Sequence, residues 1–211
     1  LVVAARRDHG GIALVAIPAD LPGVTVERHV SMDLTRTLAT VRFADVALSP
    51  DHVLGDGADR TAALARVLDL ARIALAAEQA GGAEAVLDLT VAYAKERVQF
   101  GRPIGSFQAL KHRMADMMVK VEMAKTAAFY AACIADEGSD ELEEAAAIAA
   151  SYCSEAFMAC AGDAIQLHGG IGFTWEHDAH LYFKRARADA LLLGDASSQR
   201  ERIADLIGLE R

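Results

Sequence analysis

Residues 107–128 read FQALKHRMADMMVKVEMAKTAA, and this stretch decides the fold. Phe107, Leu110, Met114, Met117, Val121, Ala124 and Ala128 recur at steps of three and four without a break. That spacing puts them on one face of an α-helix, and the 3–4 alternation is the seam of helices packed at a shallow left-handed angle. Leu142, Ala146, Ala149, Cys153, Ala156 and Cys160 repeat the pattern downstream, and Leu64, Leu68, Ala71 and Leu75 start it upstream. Three seams predict a helical bundle, and their many small residues let the helices approach closely. Cys153, Cys160 and the methionines Met114, Met117 and Met118 are read as packing groups.

Stops and starts agree with the seams. Gly101, Pro103 and Gly105 interrupt the chain, and Ser106 is placed to cap the helix that follows. Gly138 is placed to end it, and Ser139 or Asp140 to cap the next, with Asp140, Glu141, Glu143 and Glu144 near its positive end. The glycines after His168 close the third helix. Two shorter helices are expected over residues 177–190 and 196–207.

Upstream the chemistry changes. Three of the four prolines lie in the first 50 residues, whereas alanine is dense from Ala58 to Ala164. Proline is the poorest helix former and alanine the best. Strands are expected at the start of the chain, over 12–17, over 24–28 after the Pro22–Gly23 turn, and over 37–46. The switch falls near Gly55 to Gly57. The predicted fold is therefore mainly α: a partial antiparallel β-domain over residues 1–56, then a four-helix bundle over 57–211. Leu1 reads as part of a strand already under way, and four strands without closing partners would leave open edges. Both features lead us to expect a piece of a longer chain.

The composition excludes several classes. With 53% hydrophobic and 24% charged residues among 211, disorder is not the main state. A net charge of −9 argues against a nucleic-acid grip, which needs clustered cations. No uncharged apolar run approaches 18 residues (the longest covers 145–154), so no membrane span is expected. Cys133, Cys153 and Cys160 form no CxxC pair, which argues against zinc and against a secreted disulfide scaffold and fits a cytoplasmic protein.

Three tracts carry chemistry. Gly169-Gly170-Ile171-Gly172 follows a helix rather than a strand, so it is not a Rossmann turn. It is either a plain glycine cap or exposed backbone that meets a polar ligand. Arg97 to Gly105 gathers cations, Phe100 and three backbone breakers at a helix end. Arg97 is either a solvated cation beside the helix dipole or a clamp for phosphate. His177 and His180 lie three apart at a helix start, and solvated capping is expected there rather than a metal site. No Ser/His/Asp elbow, HExxH or P-loop lysine is present.

Taken together the motifs go further. Arg97-Val98-Gln99-Phe100-Gly101-Arg102-Pro103-Ile104, then Phe107-Gln108, then Gln166-Leu167-His168-Gly169-Gly170-Ile171-Gly172-Phe173-Thr174 resemble the acyl-CoA dehydrogenase family in content, order and separation. Asp20-Leu21-Pro22-Gly23 and Phe43-Ala44-Asp45-Val46 fit as well, so the resemblance covers essentially the whole chain. It implies the end of a middle β-domain and a complete C-terminal four-helix bundle. It implies FAD bound at a subunit interface, with Arg97, Val98 and Gln99 near the pyrophosphate and Phe100, Phe107 and Gln108 beside them. Gln166, Leu167, His168, Gly169 and Gly170 would face the adenosine part of a FAD held mostly by the neighbouring subunit. It further implies lipid and fatty-acid metabolism, an acyl-CoA substrate contacted near Asp69 and Arg72, and a homo- or hetero-oligomer built as a dimer or dimer of dimers.

The family's reaction removes an α-proton with a carboxylate while a β-hydride passes to the flavin. At the two positions where the resemblance puts that carboxylate, this chain has Leu193 and Ala71, and neither can take a proton. Three functions follow from that. The chain belongs to a non-catalytic subunit of a hetero-oligomeric dehydrogenase; or the base has moved, to Asp195 first and then Asp189 or Glu78; or the chain is a helical interaction module without flavin. By itself it is expected to be inactive, because the flavin-ring contacts of the family lie in preceding sequence.

Overall fold

The structure is a computed structural model and describes residues 1–209. Two compact units are present, Leu1–Leu68 and a second beginning at Asp69.

In the first unit β1 (Val2–Arg6) pairs antiparallel with β2 (Ile12–Ala16), and β3 (Val24–Arg28) pairs with β4 (Ala39–Phe43). The registers run Val3 opposite Val15 and Val26 opposite Val41. Gly23, at φ +88°, makes the turn into β3 where a side chain would collide with the carbonyl of Ala44. Asp59 ties the end of the unit down. Its carboxylate accepts from the amides of Ile12 and Thr61 and from the Thr61 hydroxyl, and these contacts hold its pKa below the ordinary value.

Among the described residues five α-helices follow: α1 (Thr61–Glu96), α2 (Gln108–Glu137), α3 (Leu142–His168), α4 (Ala179–Asp189) and α5 (Ala196–Leu206). The α2 and α3 seams hold, with Met117, Val121, Ala124 and Ala128 packed against Ala146, Ala149, Cys153 and Cys160 in two adjoining apolar clusters. Met114 is half-buried, but Met118 is 58% exposed and does not pack in the core. Burial pushes the thiols of Cys153 and Cys160 up to about 12 and about 11, as expected of inert packing groups.

The α1 seam needs correction. Leu64, Leu68, Ala71 and Leu75 are only half-buried, and the deep stripe runs Asp69, Ile73, Ala76, Ala80 and Ala83. That stripe starts with a carboxylate and continues with alanines, so apolar periodicity pointed to the bulkier face beside it. Gly82 explains how tightly α1 meets α3, since a Cβ there would lie 2.6 Å from Cζ of the buried Phe157 ring.

The caps also differ in detail. Ser106 belongs to a 3-10 turn, Ile104–Ser106, and α2 starts from Phe107 without a side-chain cap. Gly138 ends α2 in the left-handed conformation as expected. Ser139 receives the amide of Glu141 on its hydroxyl, while Glu141 rather than Asp140 is the cap residue of α3. His177 accepts the Ala179 amide on Nδ1 just before α4, whose cap residue is Asp178. His180 is not solvated: it is buried, with its ring 4.6 Å from that of Trp175.

One helical stretch, Leu142–Phe173, is long and apolar enough to cross a membrane by length and composition, which amends the expectation of no span. Of its most apolar window, 61% is buried inside the fold, as in the central helix of a bundle.

Candidate functional site

Between α1 and α2 the chain makes a two-residue hairpin. Val98–Gln99 pairs antiparallel with Arg102–Pro103, and we name these strands β5 and β6. Phe100 and Gly101 form the turn with φ of +52° and +75°. Two positive φ angles match the twist of such a hairpin, but a phenylalanine in that region costs about 1–2 kcal/mol. The strained ring is 91% exposed. It meets Phe107 edge-on at 6.1 Å, and the guanidinium of Arg102 lies over the Phe107 ring at 4.1 Å.

At the end of α3, Gly169 takes φ +63° and ψ −141°, a backbone conformation open essentially to glycine alone. The chain then turns through a 3-10 segment, Gly169–Phe173. Side chains at Gly169 or Gly170 would meet nothing within 4 Å, so this backbone stands bare. Gly172 is there for a different reason, because a Cβ would press on the carbonyl of Ile165 at 2.8 Å.

These two tracts, about 70 residues apart, share one cavity of about 530 Å³. Arg97, Gln99, Phe100, Phe107, Gln166, Leu167, His168 and Gly169 line it. Of the residues expected with them, Val98, Gln108 and Gly170 are exposed nearby in the chain but do not line it. Sequence reasoning missed Tyr93, Ile104, Ala109 and Leu110, which do. The signal for Tyr93 was its position four residues before Arg97 on α1, one turn back on the same face.

His168 is the buried polar group of this wall, 4% exposed. Its Nδ1 lies 2.7 Å from the Ala164 carbonyl, which can only accept, so Nδ1 carries the proton. Its Nε2 is buried without a hydrogen-bond partner. Tyr93 stacks on the ring at 4.4 Å, and burial holds the imidazole below its ordinary pKa.

A second cluster lies elsewhere on α1. Asp69, 4% exposed, receives Arg72 at 2.9 Å and Arg202 at 2.7 and 3.1 Å. Arg202 also reaches Glu143 at 2.7 Å, and its hydrogen bond to Asp69 is the main cause of its raised pKa. Arg72 donates through Nε to the Leu193 carbonyl at 3.0 Å, and Gln199 donates to the same oxygen at 3.2 Å. Leu193 sits at φ +57° and Gly194 at φ +97°, where a Cβ would collide with the Gln199 amide. Asp69, Arg72 and Leu193 are therefore brought together, with Ala71 half-buried on the same turn of α1. From Arg72 to Arg97 the helix rises by about 38 Å, so the two clusters are separate sites.

The alternative carboxylates are engaged. Asp195 caps α5 by accepting the Ser198 amide at 2.8 Å, which lowers its pKa. Glu78 receives Arg185 at 2.6 Å, and Asp189 lies 3.5 Å from the same guanidinium. Among the described residues no group of three or more His, Cys, Asp or Glu could hold a metal ion.

Residues 60–208 match the family model described as "Acyl-CoA dehydrogenase, C-terminal domain", and the chain belongs to that family. It is 46% identical over 202 residues to acyl-CoA dehydrogenase IpdE2 of Mycolicibacterium smegmatis, covering 92% of this chain and 59% of that protein. Among solved structures it resembles the ChsE4-ChsE5 complex from Mycobacterium tuberculosis, with TM-score 0.87 and 30% identity over 100% of this chain and 56% of that one. It also resembles the Tcur3481-Tcur3483 steroid ACAD, with TM-score 0.86 and 35% identity over 99% and 55%. The chain thus spans little more than half the length of these relatives. Members of the family are FAD-dependent. The 530 Å³ cavity fits a nucleotide: it offers an exposed guanidinium, aromatic edges, bare glycine backbone and a buried imidazole nitrogen still lacking a partner.

Proposed function

We propose that this chain belongs to a non-catalytic subunit of an acyl-CoA dehydrogenase assembly. It supplies a wall for the nucleotide end of FAD, while another subunit abstracts the proton. When bound, FAD supplies the acceptor for the hydride removed in α,β-dehydrogenation of an acyl-CoA thioester. Arg97 binds the diphosphate through its planar fork, Phe100 and Phe107 shield it from water, and Gly169 lets backbone approach closely.

One observation carries the reading. The turn at Leu193 is built as a presenting turn, with a left-handed backbone and a carbonyl held by Arg72 and Gln199, yet what it presents is an aliphatic side chain. A missing general base costs a factor of about 10² to 10⁴. Asp195 does not favour the relocated-base alternative, because its carboxylate is committed to Ser198 and its pKa is lowered. Relatives described as two-protein complexes support the hetero-oligomeric assignment.

The remaining assignments follow. Residues 1–56 are the end of a middle β-domain and 57–211 the bundle domain, and free cysteines suit work in the cytoplasm. The test is co-expression of the full-length protein with candidate partner subunits. The mixed complex should bind FAD and oxidise acyl-CoA, while the full-length protein alone should not oxidise it. Ordinary turnover by the protein alone would overturn the proposal.

A further inference from the structure

The bundle uses one face of α2 and leaves the other exposed. Met117, Val121, Ala124 and Ala128 pack in the core. On the opposite side of the helix Val119, Met123, Thr126, Tyr130 and Cys133 step by four and three, the spacing at which a second helix packs alongside. Phe129 flanks this outer seam. Val119 is 63% exposed, Met123 53%, Phe129 72% and Tyr130 48%. Single exposed apolar side chains are ordinary on a protein surface. Four within about 17 Å of one helix make a contiguous patch, and such a patch marks an interaction surface.

The charges along α2 identify what the patch meets. Its first half holds Lys111, Arg113 and Lys120 against Asp116 and Glu122. Its far end is acidic, with Asp136 and Glu137 on the helix and Asp140, Glu141 and Glu144 just beyond. Lys125, between the two halves, is engaged with Glu84 at 2.6 Å. The Tyr130 hydroxyl donates to Glu141 at 3.0 Å, and both residues, with Glu144, line an acidic recess of about 240 Å³ beside the seam. A helix that is basic at its start and acidic at its end, with an apolar seam between, complements itself when run in reverse. A second copy laid antiparallel sets start against end twice over. A parallel copy would oppose like charges at both ends.

We propose that the outer face of α2 is an interface between two copies of this chain, packed antiparallel about a two-fold axis that passes between Ala124 and Lys125. In that register Val119 lies against the second copy's Tyr130, and Met123 against its Thr126. Each layer then holds one larger and one smaller side chain, which lets the helices interdigitate. The apolar seam supplies the attraction, and the opposed charges select the antiparallel direction over the parallel one. The interface lies on α2 alone and uses no residue of the nucleotide cavity or of the Leu193 turn. It therefore does not rest on the function proposed above, and it adds that any assembly holds this chain in pairs.

The experiment weighs the full-length protein by sedimentation equilibrium, alone and in the mixed complexes it forms. Val119→Arg should weaken the pairing of copies by about 30-fold or more, the worth of a well-placed interface anchor. Its thermal midpoint, read on the dissociated chain, should stay close to that of dissociated wild type, because the side chain is exposed. Two charge variants test the direction. Chains carrying Lys111→Glu with Lys120→Glu, and chains carrying Glu137→Lys with Glu141→Lys, should each pair weakly by themselves. Mixed one to one, they should pair again, since an acidic start then meets a basic end at both contacts. Wild-type protein that holds a single copy of this chain in every species overturns the inference, as does unchanged pairing in Val119→Arg or no recovery on mixing. A Val119→Arg complex that keeps two copies of this chain but sheds the other subunit gives the face to that subunit, and overturns it equally. Mass is read without flavin or turnover, so a failed co-expression assay would count against the proposed function and leave this interface standing.

Discussion

Arg72 on α1 donates through Nε to the backbone carbonyl of Leu193 at 3.0 Å, a contact across 121 residues of sequence. It fixes the backbone of a turn whose side chain is aliphatic where the family resemblance calls for a carboxylate. The turn's shape and its chemistry are thus decided by different residues, and each can be changed alone.

If the proposed non-catalytic role holds, Leu193→Glu in the full-length protein should raise acyl-CoA oxidation by a factor of about 10² or more. The measurement is single-turnover flavin bleaching by an acyl-CoA. Asp195→Asn should change neither turnover of the mixed complex nor stability appreciably, since asparagine caps a helix as well as aspartate does. Loss of turnover on Asp195→Asn would revive the relocated base.

Arg97→Ala should weaken FAD binding by about 10- to 100-fold, the usual worth of a charge-assisted hydrogen bond. Because Arg97 is exposed, the thermal midpoint of the flavin-free protein should not move. Arg97→Lys should recover only part of the affinity, as a point charge cannot reproduce the fork. Fluorescence titration of the apoprotein with FAD gives both answers.

Asp69 joins two guanidinium groups in a largely buried site. Asp69→Ala should cost several kcal/mol, approaching the range of about 3–5 for a broken buried pair. Arg200→Ala removes an ion pair with Glu155 in which both side chains are more than half exposed, and should cost less than about 1 kcal/mol. Denaturant midpoints of the two variants should differ clearly.

Two adjacent glycines of α1 should respond in opposite directions. Gly81→Ala meets nothing within 4 Å and should stabilise by about 0.5–1 kcal/mol through helix propensity. Gly82→Ala would press on the buried Phe157 ring and should destabilise by about 1–2 kcal/mol net. Thermal melts of both variants check the pair.

Burial holds the imidazoles of His168 and His180 below the ordinary histidine value. The unfolded chain then binds more protons than the folded one below about 6.5, so stability must fall as the pH drops from there through the folded values. Urea midpoints on either side of that window should show the loss, and His180→Leu should make it shallower.

The helical bundle was legible because its signal is periodic and local. The α2 and α3 seams came through intact, as did the glycine at the end of α2. Where the sequence misled, a neighbour had overruled a local preference. The α1 stripe begins with Asp69, which no apolar count selects, because two arginines from α1 and α5 make its burial tolerable. His180 read as a solvated cap, but Trp175 covers it.

Sequence by itself determined the number of helices, their breaks, and most of the residues that the structure gathers around the 530 Å³ cavity. The family resemblance added the expectation that Leu193 and Ala71 stand where a proton acceptor would. Only the tertiary structure decided that Arg97 and Gly169 share a cavity, that Tyr93 belongs to it, and that Leu193 is held by Arg72. Local spacing records which face of a helix a residue occupies. Which faces meet depends on packing between segments far apart in the chain, and no single segment carries that information.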